Sequence, residues 1–165
     1  MEQAYAAIGR AVIFAQLFET ALVPIFELFK MQTEPGYREK TGGYISAGAF
    51  KVPITNIVKA LSATGDIAPD LETRLTAYIA DRHTLIHRWV QIHGLPAEDD
   101  VAAIGAILEL ANRVENEAKD LTQLLVGYVV KYAEPEWAST NMEEYKARMA
   151  EIFRRAHIDN VKQWQ

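Results

Sequence analysis

The chain has no cysteine, no excess of positive charge and no convincing alternation of apolar and polar residues. The first absence excludes disulfides and thiolate metal sites, and with them the small stapled scaffold of a secreted protein. Lys and Arg number 17 against 22 Asp and Glu, a formal net charge of −5. That balance argues against a broad electrostatic footprint for duplex nucleic acid. Lack of period-two alternation leaves no candidate strand. A positive n-region is also missing from Met1-Glu2-Gln3-Ala4, so no secretory signal is expected and the cytoplasm is the expected compartment. Proline and glycine are sparse outside the segment Gln32 to Pro53. The longest apolar stretch, Ala11 to Phe29, has the length of a bilayer span but carries Gln16, Glu19, Pro24 and Glu27. Charges at the centre of a span cost several kcal/mol each, so a core helix is expected there and no membrane insertion.

What is present is helical periodicity over most of a single domain, residues 1–165, long enough to bury roughly two thirds of its unfolded surface. The expectation is an all-α, up-and-down bundle of about five helices, with a core over 1–133 and a C-terminal helix over 140–160. The first helix, Met1 to Lys30, has apolar positions Tyr5, Ile8, Val12, Ala15, Phe18, Leu22, Ile25 and Phe29, stepping by three or four. Pro24 should bend or divide it. Pro35-Gly36, Gly42-Gly43, Gly48 and Pro53 read as one long loop. A short helix over Thr55 to Thr64 closes at Gly65, and another starts at Pro69 with Asp70 and Glu72 near its positive end. It should run to His93, before Gly94-Leu95-Pro96. A fourth, with Glu98, Asp99 and Asp100 in its first turn, continues through Tyr128 and Tyr132 and would be about 50 Å long. That exceeds the diameter of such a domain, which points to a bend or a second subunit. The last helix begins at the capping box Thr140-Asn141-Met142-Glu143, with a stripe of Tyr145, Met149, Ile152 and Phe153, flanked by Trp137 and Trp164.

Three of the four histidines, His83, His87 and His93, lie within eleven residues, in a stretch where Arg74, Arg82 and Arg88 face one acid, Asp81. His83 and His87 are four apart and share a helix face, the spacing with which two imidazoles can hold one metal. A zinc protease would need Glu where Thr84 stands, and no Glu-x-x-His pair is found, so no metal and no cofactor is expected. A plainer reading makes one imidazole a half-buried core group and the other a solvated one. Arg82 and His87 stand about 140° apart around a regular helix, but the long guanidinium can reach round. Together they supply what metal-free phosphodiester cleavage needs: a proton carrier that titrates near neutrality and a fork of donors for phosphate oxygens. One helix supplies only one acid–base group; two copies would supply a pair. Elsewhere, Gly42-Gly43 with Gly48 and Lys51 lacks the spacing of a phosphate loop, Asn112 to Glu117 reads as a solvated face, and Arg154-Arg155 with His157 reads as a basic helix end.

Arg82-His83-x-x-x-His87 resembles the R-x(4–6)-H signature of the HEPN superfamily, in which a polar residue commonly follows the arginine. The surrounding Asp81-Arg82-His83-Thr84-Leu85-Ile86-His87-Arg88 is similar to the acid-Arg-polar-x-Leu-Ile/Val-His stretch near the end of a long helix in HEPN-like proteins. Ile8-Gly9-Arg10 to Glu19-Thr20-Ala21-Leu22 is similar to a helix of the bacterial members. In the HepT-type branch a tyrosine stands two residues after the histidine, where this chain has Trp89. The resemblance implies an all-α bundle dimerising through the motif helices. It also implies a metal-independent endoribonuclease of a toxin–antitoxin or phage-defence type, with RNA and an antitoxin protein as partners, or else a non-catalytic binding and dimerisation module. On that resemblance Arg82 would hold the scissile phosphate and His87 would move the proton. His83 would be the accessory polar position, Glu19 an acidic partner orienting Arg82 or His87, and Arg88 a contact to a flanking phosphate.

Overall fold

In a computed structural model of the chain, residues 1–65 and 67–155 are described, the side chains of 126, 131 and 152–155 excepted. The fold is all-α, and among the described residues there is no strand. Its long helices are α1 (Glu2–Thr33), α3 (Ile54–Ala63), α4 (Pro69–His83), α6 (Val101–Ala133) and α8 (Met142–Arg155). Three short ones join them: α2 (Tyr37–Thr41), α5 (Trp89–His93) and α7 (Pro135–Thr140). Ile152, Phe153 and the Arg154-Arg155 pair have side chains outside the described set. His157, Trp164 and the expected extension of the last helix to 160 lie outside the described residues altogether.

The two longest helices, α1 and α6, form the most extensive interface, and they run parallel: Arg10 meets Glu115 near one end and Gln32 Nε2 donates to the Tyr132 carbonyl, 2.7 Å, near the other. α4 runs antiparallel to both, since Glu19 on α1 meets Arg82 while Arg74 and Asp81 meet Glu117 and Arg113 on α6. The order is thus up, down, up. Phe18, Leu22, Leu71, Leu75, Leu121 and Leu124 are buried in the core these helices share. Each such side chain contributes about 1.5–3 kcal/mol of transfer free energy. The overlong sixth helix needs no second chain for support, because α1, 32 residues against 33, lies along it. α1 is apolar and long enough to cross a membrane by length and composition alone. In this fold the buried stripe of its first half is Ala4, Ala7, Ala11, Ala15 and Phe18; the expected Tyr5 is 60 % exposed and Ile8 and Val12 are half-buried, because the small alanines form the face that packs on the other helices.

Several boundaries differ from the sequence expectation for identifiable reasons. α1 runs undivided through Pro24, whose neighbours Val23 and Ile25 are buried on the core side. Tertiary packing there outweighs the lost hydrogen bond, whose acceptor would have been the Thr20 carbonyl. The segment read as one long loop contains α2, which fits between Gly36 (φ 75°) and Gly42 (φ 62°), both left-handed, and a 3₁₀ turn over Ala49–Lys51. Glu98 and Asp99 precede α6, and Asp100 is its N-cap, accepting 2.9 Å from the Ala103 N–H. Thr140 ends α7 and caps nothing; Asn141 sits between α7 and α8, with Nδ2 donating 3.0 Å to the Trp137 carbonyl. Gly65 is left-handed at φ 72°, as expected of a helix stop.

Candidate functional site

Arg82 stands near the end of the regular part of α4. From Thr84 to Arg88 the backbone winds as a π turn before α5 resumes. Hydrogen bonds there span five residues in place of four, so His87 swings back toward the azimuth of Arg82 and the separation is less than a regular helix allows. Such single turns are rare and are frequent at functional positions. The residue pattern has no marker for this insertion, which is why sequence periodicity reads straight through to His93.

Arg82 reaches α1. Its Nη2 lies 2.6 Å from Glu19 Oε1, with side chains 22 % and 32 % exposed. The contact is an ion pair without the alignment of a hydrogen bond, and Arg82 Nε is buried with no acceptor. A pair this accessible contributes on the order of 1 kcal/mol, so its main effect is orientation. One turn before Arg82 lies Tyr78, 2 % exposed, edge-on to Phe18 at 5.2 Å, with a hydroxyl that has no partner. Burial, and then the neighbouring Glu19 carboxylate, push the Tyr78 phenol well above the ordinary tyrosine value, against the pull of Arg82.

Both His83 and His87 are exposed, with ring centroids 5.3 Å apart and planes 47° to each other. The expected split into one half-buried and one solvated imidazole is therefore not found. Among the described residues neither ring is held by a salt bridge, and both are open to solvent. Arg88 is exposed and makes no ion pair among the described residues, while His93 packs on buried Trp89 at 4.3 Å. Among the described residues no third His, Asp or Glu joins His83 and His87.

In the segment Asn112 to Glu117, Asn112, Arg113 and Asn116 are exposed as a solvated face requires, whereas Glu115 is buried and Glu117 half-buried. Arg113 Nε donates 2.6 Å to Asp81 Oδ2, and that hydrogen bond raises the guanidinium pKa further. Arg74 bridges Glu117 and, at 3.2 Å, Asp120. Glu115, 7 % exposed, accepts from Lys119 at 2.5 Å and from Arg10 at 3.0 Å. Charges on α1, α4 and α6 thus meet between helices on both sides of Arg82. A separate cluster, which sequence reasoning missed, closes on buried Glu27: Lys30 Nζ is 2.5 Å from Oε1, and the Tyr37 hydroxyl donates 2.7 Å to Oε2. It ties α2 to α1. Glu19 also borders an open cleft of about 320 Å³ between α1 and the chain entering α3.

No family model, no curated protein and no solved structure matches this chain. What can be said of its chemistry comes from its own residues: a guanidinium oriented by Glu19, an exposed imidazole next to it and another on the following π turn, and a cleft that Glu19 borders.

Proposed function

We propose that the protein is a cytoplasmic HEPN-like helical domain that cuts RNA without a metal ion, as a homodimer with an antitoxin protein as its regulator. The supporting observation is the pairing of Arg82 with Glu19, which orients a guanidinium that is still partly open to solvent, next to the π turn that carries His87. In the reaction His87 takes the proton of a ribose 2′-hydroxyl as its oxygen attacks phosphorus. The P–O2′ bond forms, the P–O5′ bond breaks, and the leaving 5′-oxygen receives a proton from the imidazole of the second copy. Products are a 2′,3′-cyclic phosphate and a 5′-hydroxyl, so atoms balance without an added reactant. Arg82 donates to the phosphoryl oxygens as negative charge builds on them. His83 is the accessory group beside His87, Glu19 the positioning residue of Arg82, and Arg88 a contact to a flanking phosphate.

The test compares wild type with His87→Ala on total RNA in chelator. Cleavage that falls by on the order of 100-fold or more supports the role. Cleavage that survives the substitution removes His87 from the mechanism. A second reading, a non-catalytic HEPN-like binding and dimerisation module, is favoured by the interhelix ion pairs of Arg74 and Arg113, which make this end of α4 a well-tied structural element. No cleavage by either protein would favour it. A monomer at micromolar concentration by light scattering would leave the composite site without its second proton carrier.

A further inference from the structure

The cleft beside Glu19 combines polar and apolar groups. On α1, Gln16, Glu19 and Thr20 line it with hydrogen-bonding groups beside apolar Leu22 and Val23, and Phe50 lines it from the chain entering α3. Gln16 and Thr20 are four apart and share a face with Glu19 between them, so the polar groups form one edge. The aromatic side is equally constructed. Phe50 is half exposed, yet the turn that carries it is pinned by buried Ala49 and by two backbone hydrogen bonds, Lys51 N–H to Gly48 and Val52 N–H to Ala49, both 3.1 Å. An aromatic ring held on a fixed turn, at a cleft that also holds an amide, a hydroxyl and the Glu19 carboxylate, offers what an unpaired base needs: a stacking surface and donors and acceptors for its edge. The volume, about 320 Å³, is of the size of small-ligand pockets and too small for a helix of a partner protein. Lys51, exposed and next to Phe50 in the chain, is a positive charge on the same turn. Base-paired RNA presents no free base face, so the arrangement selects single strands.

We infer that this cleft binds an unpaired nucleobase of RNA, stacked on Phe50, and so places the adjoining phosphate toward Arg82. Its link to Arg82 rests on the ribonuclease reading; base binding itself does not. Glu19 joins the two, since it lines the cleft and pairs with Arg82.

The experiment uses the full chain carrying His87→Ala, so that binding is read without cleavage, and a fluorescein-labelled ten-nucleotide single-stranded RNA in chelator, with anisotropy as the readout. Phe50→Ala in this background should weaken binding about tenfold, the loss typical of one base–aromatic stack, while Phe50→Tyr should retain it. Thr20→Trp, an exposed helix position that fills the cleft without removing the ring, should weaken it comparably. The same RNA annealed to its complement should bind at least tenfold more weakly. Circular dichroism confirms that each variant folds. Phe50→Ala and Thr20→Trp proteins that bind like their parent would overturn the cleft, as would equal affinity for duplex and single strand. Single-strand binding that needs Phe50, in a protein whose His87-containing form cuts nothing, upholds the cleft and removes the ribonuclease reading. Cleavage unaffected by Phe50→Ala, with unchanged RNA affinity, does the reverse.

Discussion

Arg82 Nη2 lies 2.6 Å from Glu19 Oε1 across the α1–α4 contact, while Nε of the same guanidinium is buried without an acceptor. The ion pair orients the guanidinium, and the side chain is still 22 % exposed. Replacing Arg82 by Lys keeps the charge and loses the planar fork, so RNA cleavage should fall on the order of 100-fold. Glu19→Gln keeps shape and removes the orienting charge; its loss should be smaller, about tenfold, and should be seen in kcat. Thermal unfolding of both should stay close to wild type, because an accessible ion pair contributes only about 1 kcal/mol or less. Equal cleavage by wild type and Arg82→Lys would remove the phosphate-binding role.

Glu27 carries a charge into the core, 2 % exposed, and is compensated by Lys30 and Tyr37. Burial works against the Lys30 ammonium, but its hydrogen bonds to Glu27 and Tyr37 hold its pKa above the ordinary lysine value. Lys30→Met would leave the carboxylate buried and uncompensated, at a cost of about 3–5 kcal/mol in urea unfolding. Tyr37→Phe removes one hydrogen bond and should cost about 1–3 kcal/mol. Amide exchange should rise first in Tyr37–Thr41, the helix that this cluster holds. If both variants unfold like wild type, the cluster is not what ties α2 to α1.

Glu115 should govern part of the acid limb of stability. The hydrogen bond from Lys119, against the opposing effect of burial and with help from Arg10, holds its carboxyl below the ordinary carboxylate value. A carboxylate whose folded pKa is depressed adds stability above its unfolded pKa, about 4.3, and that share is lost as pH falls through the folded value. Glu115→Gln should therefore lower Tm at pH 7, and the gap to wild type should close as pH drops below about 4. A gap independent of pH would mean that packing, and not charge, is the contribution.

Gly127 is where Met149 of α8 packs on the backbone of α6. A Cβ built there would collide with Met149 Sδ, and Met149 is itself buried at 1 % exposure. Gly127→Val should overpack this contact by about 1–3 kcal/mol, lowering Tm by several degrees in a chain of this length. Met149→Ala in the same chain should recover part of the loss, because it clears the volume the new side chain needs. Additive losses in the double variant would show that the two residues do not share the space.

The helices were legible because burial of one face leaves a period in the residue types. α4 begins at Pro69 and α3 stops before Gly65 as backbone chemistry alone requires. Glu19 as a partner of Arg82 was legible only through the resemblance, and the structure brings the two into contact. Asp81 with Arg113 and Arg74 with Glu117 left no trace in the pattern, since a charge on a helix looks the same whether water or a neighbouring helix answers it. Tyr78 carried one overlooked signal: it stands four residues before Arg82, on the same face.

Sequence alone determined that this chain is helical, which face is buried over much of α1 and α6 though not at Tyr5 or Val101, and that imidazole and guanidinium, with no thiol, are the groups available near residues 82–88. Those follow from local periodicity and from which atoms are present. Tertiary structure decided the rest: that α1 and α6 lie parallel and so support each other's length, that Phe50 lines one cleft with Gln16 and Thr20, and that the motif passes through a π turn. These depend on contacts between residues far apart in the chain, whose energies of a few kcal/mol override local preference and leave no periodic record in the sequence.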